Sequence, residues 1–159
     1  MRITGIKVDK RLCPITGLES NIDPKTPSGA LAEFYCAYNK HDLALMERNW
    51  VTSPNASMNN PVGGVRRGWS EICQVYERIF ASPASVRVEF YDYTIHKFDT
   101  VFLAVGRERG ISHTPKGALE LQGRTSRFFV FTDGRWRRFH HHGSIDDAKS
   151  LQLYQAAIL

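Results

Sequence analysis

The chain contains no apolar run near the roughly 20 residues that a membrane-spanning helix needs, which excludes a helical membrane protein. Its first ten residues, Met1-Arg2-Ile3-Thr4-Gly5-Ile6-Lys7-Val8-Asp9-Lys10, hold no apolar core of the kind that directs secretion. Cysteine is scarce: Cys13, Cys36 and Cys73 are widely spaced, with no CxxC pair. That usage predicts reduced thiols and a cytoplasmic protein. Blocks of five or six like charges are also missing. The net charge of +5 is scattered over Arg66-Arg67, Arg107, Arg109, Arg135 and Arg137-Arg138, so neither a nucleic-acid arm nor a nucleic-acid partner is expected. A solvated basic surface, or a pocket for an acidic ligand, accounts for the charge as well. Gly63-Gly64 lacks the strand–GxGxxG–helix setting of a phosphate loop and reads as a turn. Repeats and low-complexity segments are absent, and nothing calls for a cofactor.

What is present is enough for one ordinary domain of 159 residues with a real core. Apolar residues make up 42% and charged residues 23%, as in a soluble globular protein. Residues 1–27 carry Pro14, Gly17, Pro24 and Pro27 and read as an irregular N-terminal arm. From Pro27-Ser28, apolar residues recur at three-to-four spacing: Leu31, Phe34, Tyr35 and Tyr38, then Leu43, Leu45, Met46 and Trp50. The polar break Asn39-Lys40-His41-Asp42 divides two helices, with Asp42 as N-cap of the second. A short strand is expected at 56–60, a loop at 62–68 and a third helix from Trp69 to about Phe80.

From Val86 the period becomes two, and strands are expected at about 86–93, 100–110, 118–132 and 135–142. Asp133-Gly134 marks the last hairpin. A C-terminal amphipathic helix follows over 146–159. Helices first and a long meander after them predict the α+β class, with helices packed on one face of a curved sheet.

The last strand holds three consecutive histidines, His140, His141 and His142, between a turn and a helix. They can line a pocket, bind a metal or cover a subunit interface. Regular alternation puts Trp136, Arg138, His140 and His142 on one face and Arg137, Phe139 and His141 on the other. His140 and His142 could share a metal if His96, His113 or Glu108 supplied a third ligand, but the spacing does not require one and no metal is expected. Cys36 and Cys73 lack cationic sequence neighbours and read as core residues, not nucleophiles. Glu108 and Asp92 could form a carboxylate pair or point to solvent.

Three motifs resemble the NTF2-like superfamily, which includes SnoaL-like and ketosteroid-isomerase-like proteins. Phe34-Tyr35-Cys36-Ala37-Tyr38-Asn39-Lys40-His41-Asp42-Leu43 is similar to that family's first helix. Asn59-Asn60-Pro61-Val62-Gly63-Gly64 is similar to its loop before the third helix. Asp133-Gly134-Arg135-Trp136-Arg137 with His141-His142-Gly143-Ser144 is similar to its closing strand. The resemblance covers about residues 28–145, leaving 1–27 as an arm and 146–159 as a C-terminal helix. It implies a cone-shaped sheet closed by helices over a deep pocket, and a homodimer through the outer sheet face, with His140 and His142 on that face.

The resemblance also implies roles. Ketosteroid isomerases carry a general-base aspartate where this chain has Asn60, an oxyanion tyrosine where it has Phe34, and a protonated aspartate where it has Arg127. An amide cannot serve as base, a phenyl ring has no hydroxyl to donate, and a guanidinium is a permanent cation. Only the supporting tyrosine, Tyr76, matches. Steroid isomerisation is therefore not expected, while a pocket is. Its expected lining is Phe34, Tyr38, Met58, Asn60, Tyr76, Arg127, Phe139 and His141, the last two turned inward by the family alignment.

Two function classes follow. One is a binding or assembly module that holds a small, largely apolar ligand. The other is a small isomerase, cyclase or dehydratase in which His141 moves a proton, while Arg127 and Tyr76 stabilise developing negative charge.

Overall fold

Thr26 begins the helical layer. Its hydroxyl accepts from the Gly29 amide at 3.1 Å, and Pro27 supplies the first helical residue of α1, Pro27–Lys40. His41 ends it in the left-handed region at φ 55°, and the Asp42 amide closes the turn onto the Ala37 carbonyl. Asp42 then caps α2, Leu43–Asn49, through Leu45 N at 2.9 Å, as its position predicts. These elements belong to a computed structural model that describes residues 7–11 and 13–158.

The remaining elements are β1 Lys7–Arg11, β2 Ser57–Asn59, β3 Val65–Arg67, α3 Gly68–Ala81, β4 Ser85–Lys97, β5 Val101–Thr114, β6 Gly117–Thr132, β7 Arg135–Ile145 and α4 Ala148–Ile158. The strands form one sheet in the order β1-β4-β5-β6-β7-β2-β3. All neighbours are antiparallel except β2 and β7, which run parallel. The α+β class with a curved sheet under helices is what the periodicities require.

Two expectations need correction. The arm is not wholly irregular, because Lys7–Arg11 pairs with β4 and extends the sheet edge. Its charged sequence hides this, since an edge strand needs only backbone pairing. Further along, Ile15 is 5% exposed and exchanges two backbone bonds with Phe90. The stretch 62–68, read as a loop, contains β3, a three-residue strand pinned to β2.

The arm crosses α1 at Gly17, whose φ is 78°. A Cβ there would lie 2.3 Å from the Cys36 amide nitrogen, so only glycine fits. Asn39 then clamps three segments. Its amide nitrogen donates to the Thr16 and Val88 carbonyls at 3.0 and 2.9 Å, and its oxygen accepts from the Val88 amide at 2.9 Å. Glu33 fixes α1 to the far side of the sheet. It accepts from Arg135 of β7 at 2.6 Å and from Asn49 of α2 at 3.0 Å.

The core lies between the helices and the inner sheet face. Phe102 and Phe129 stack at 4.5 Å, with Trp136 edge-on to Phe102 at 5.0 Å. Burial of such side chains contributes roughly 1.5–3 kcal/mol each.

Two β-bulges interrupt the regular alternation. At the first, Tyr91 pairs with Arg107 and Thr94 with Val105, so Asp92 and Tyr93 face a single residue. Asp92 takes φ 45° and stays exposed, while Phe90 and Tyr93 both turn inward and stack at 4.6 Å. At the second, Phe128 pairs with His140 and Phe129 with Arg138, leaving Phe139 as the extra residue. Arg138 and His141 consequently both point into the cone.

Candidate functional site

The cone holds a cavity of about 80 Å³ that opens to solvent past the exposed Arg109 and Gln122. Phe34 and Tyr38 of α1, Met58 of β2, Tyr76 and Ile79 of α3, and Val86 and Val88 of β4 give it apolar walls. Its polar lining is Asn60, Glu108, Arg109, Gln122, His141, Ser144 and the tyrosine hydroxyls, with Arg109 paired to Glu89. The C-terminal helix covers it: Tyr154 of α4 lines the cavity and meets the Tyr38 hydroxyl at 3.3 Å. Gln155 holds α4 in place by donating to the Pro61 carbonyl at 2.8 Å.

Of the eight residues that sequence assigns to the site, Phe34, Tyr38, Met58, Asn60, Tyr76 and His141 come together around this cavity. Arg127 lies one layer behind the wall, fully buried. Phe139 is not brought in. As the extra residue of the bulge it lies outside, packed edge-on to Phe128 at 6.3 Å, and its inward assignment is corrected. Arg138, read as outward, takes the inward place instead.

Arg127 and Arg138 are both 0% exposed. Arg127 pairs with Glu108, and one oxygen of that carboxylate also accepts from the Tyr35 hydroxyl at 2.7 Å. Burial pulls the Arg127 pKa down, but Tyr35 and Glu108 outweigh it and the net direction is up. Among the described residues no carboxylate pairs with Arg138, and its Nε and both terminal nitrogens have no hydrogen-bond partner. Aromatic faces surround it instead: Phe34 at 3.7 Å, Phe129 at 5.1 Å and Trp50 at 5.4 Å from Cζ. Each such contact offers about 0.5–2 kcal/mol, against a desolvation cost of several kcal/mol for a buried ion. Burial first, and then the charge of Arg127, lower the Arg138 pKa to about 9, so it remains cationic at neutral pH.

His141 stands opposite Arg127 in the β6–β7 register and is 6% exposed. Burial, then Arg127 and Arg138, then His140 and His142, hold its pKa well below the ordinary imidazole value of 6.5. The ring is neutral at neutral pH, with Nδ1 unpartnered among the described residues. Gly143 makes room for it, since a Cβ there would come within 3.1 Å of His141 Nε2.

Sequence reasoning missed the chemistry of Arg138, Tyr35 and Tyr154, and placed Glu108 as a conditional metal ligand, a carboxylate partner of Asp92 or a solvent carboxylate. On the other face, His140 Nδ1 hydrogen-bonds Ser57 Oγ at 2.8 Å, and His142 is exposed. His96 and His113 lie on β4 and β5, away from this pair. Among the described residues no group of three or more histidine, cysteine or acidic side chains is arranged to hold a metal.

A curved α+β sheet closed by helices over a cavity defines the NTF2-like, cystatin-like class of folds. Solved structures agree. An NTF2-like superfamily protein from Salmonella enterica is 20% identical, with 74% of this chain and 87% of that one covered at a TM-score of 0.67. A presumed dehydratase of the NTF2-like family from Streptomyces avermitilis is 20% identical, covering 75% and 92% at 0.69. An uncharacterised cystatin-like-fold protein from Caulobacter vibrioides is 20% identical, covering 78% and 89% at 0.61. At that identity the likeness is one of fold. The sequence pattern of the SnoaL-like domain matches residues 28–148, and the chain belongs to that family. No curated protein sequence gives a significant match. Among the described residues no helix is long and apolar enough to cross a membrane.

Proposed function

We propose that the cone binds a small, largely apolar ligand and lacks ketosteroid isomerase activity. The observation that carries this reading is the covered cavity, apolar along its walls, with unpartnered buried polar atoms on Asn60, His141 and the arginines behind them. Native proteins rarely leave such atoms without water or ligand. The volume bounds the occupant. An engineered cavity of about 150 Å³ admits benzene, so about 80 Å³ takes something smaller unless Tyr38 and Tyr154 part. Asn60 cannot supply the base and Phe34 cannot supply the hydroxyl donor that steroid isomerisation uses, and Arg127 is a permanent cation where that reaction uses a neutral acid.

Native mass spectrometry of the untagged protein, compared with its denatured mass, tests the reading. A small adduct lost on denaturation is expected, with no shift of a steroid double bond in a direct assay. Absence of any adduct, together with failure of every small probe to bind, would count against it.

The second reading, a small isomerase, cyclase or dehydratase, rests on His141 in the cavity wall with a free Nδ1. Its depressed pKa makes it a weak base at neutral pH, so binding is favoured over proton transfer.

The protein is further proposed to be a cytoplasmic homodimer joined through its outer sheet face. Leu103 pairs with Phe128 on that face, and Phe139 and the 40%-exposed Val105 widen the apolar patch. All three cysteines are free thiols. Nucleic acid is not a proposed partner, because much of the basic charge is already paired. Arg107 and Arg124 share Asp146, Arg109 meets Glu89, and Arg137 meets Asp133.

A further inference from the structure

We propose that the ligand of the cone carries a single carboxylate, which docks against Arg138 and Arg127. The proposal rests on the cone-binding reading and adds the chemical class of the ligand.

Behind Phe34 lie two fully buried guanidinium groups, and the one carboxylate that reaches them among the described ion pairs is the partly exposed Glu108 of the cavity wall. Tyr35 and Arg127 both bond the same Glu108 oxygen. That leaves Nε and one terminal nitrogen of Arg127, and all three nitrogens of Arg138, without an acceptor. No other acidic side chain reaches these groups among the described ion pairs. Among the described residues these three groups therefore carry one unmatched positive charge, which a monoanion neutralises.

The cavity stops one side chain short of this charge: neither arginine lines it, and a carboxylate reaches them only when the Phe34 ring turns aside. Three of its wall residues are the immediate neighbours of the arginines: Glu108 by its bond to Arg127, His141 by strand register with Arg127, and Phe34 by its ring against Arg138. A guanidinium fork matches the two oxygens of a carboxylate, and the paired bonds are charge-assisted. The cavity is too small for a large acid, and its walls suit a short alkyl or alkenyl chain. Neutral His141 adds an acceptor or a donor at Nδ1, according to tautomer, beside the docked group.

The test uses acetate, propionate and butyrate against acetamide, propionamide and butyramide. Binding is read by saturation-transfer NMR and calorimetry at constant chloride. Propionate or butyrate should bind wild type about tenfold or more tighter than its own amide. In Arg138→Met the ratio should fall to near one while amide binding persists. Arg127→Met gives an independent measure if Arg138→Met does not fold. Acids and amides that bind wild type equally would overturn the carboxylate and leave the cone reading standing. If neither class binds, both fall. An acid preference that survives in folded Arg138→Met and Arg127→Met alike would place the charge elsewhere and overturn the docking site.

Discussion

Lowering the pH from 7.5 to 5.5 should destabilise this protein through His141, and the size of the effect follows from its surroundings. In the fold the ring is buried beside two guanidinium groups, and its pKa is held well below 6.5. In the unfolded chain it titrates near the ordinary value of about 6.5. The unfolded state therefore binds a proton that the native state refuses. His141's contribution to stability is complete above that pH and is lost as pH falls below it. For a ring that stays neutral in the fold over this range, the loss between pH 7.5 and 5.5 is about 1.4 kcal/mol. His140, also depressed by burial and then by His142, adds to the total, but it cancels when a variant is subtracted. Urea unfolding of wild type and His141→Gln in bis-Tris propane chloride gives the comparison, with carboxylate buffers avoided. Wild type should lose about 1.4 kcal/mol more than the variant over the interval, at unchanged m-value. Equal losses in the two proteins would mean that His141 is not a neutral ring in the fold, and the electrostatic account of the site would be wrong. The His141 ring proton shift, followed by NMR across the same range, should stay flat where free imidazole titrates.

Other perturbations have equally definite outcomes. Glu33→Ala leaves Arg135 without its carboxylate and Asn49 with only the Ala30 carbonyl, and should cost about 3–5 kcal/mol in chemical denaturation, because it breaks a buried ion pair from one side. Gly143→Ala should push His141 from its place and weaken propionate binding, with a stability loss of roughly 1–3 kcal/mol from overpacking. Tyr154→Ala removes the residue that meets Tyr38, and it should admit butyrate-sized and larger probes that wild type takes slowly, as an increase in association rate. Arg138→Met, measured without ligand, should melt no lower than wild type, since an unmatched buried charge is replaced by an apolar side chain.

Most of the fold was legible because its signals are local. Pro27, the polar break from Asn39 to Asp42, and Asp133-Gly134 each fix a boundary by their own backbone chemistry. The change of period at Val86 separates helices from sheet. The cavity wall was legible where a residue lies on an unbroken helix or strand, as with Phe34, Tyr38, Met58 and Tyr76. Arg138 and Phe139 were misplaced because alternation was carried through a bulge. Nothing in Arg137-Arg138-Phe139-His140 announces a bulge, since the partner strand and the curvature of the sheet impose it. Glu108 was ambiguous for a related reason. Its meaning depends on Arg127 and Tyr35, which lie 19 and 73 residues away. The strand Lys7–Arg11 escaped because it carries no apolar alternation and exists only through the edge it extends.

The bulge at Phe139 bears on how this protein tolerates error. A slip of one residue ordinarily exchanges the two faces of a strand and empties a site of its chemistry. Here the doublet Arg137-Arg138 precedes the extra residue and the triplet His140-His141-His142 follows it. If pairing beyond the bulge became regular, His140 and His142 would turn inward as His141 turned out. If the slip began earlier, Arg137 would replace Arg138. Either way an imidazole and a guanidinium still lie on the inner face of the sheet. The doublet and the triplet thus present the same residue types on both faces of β7 around the bulge.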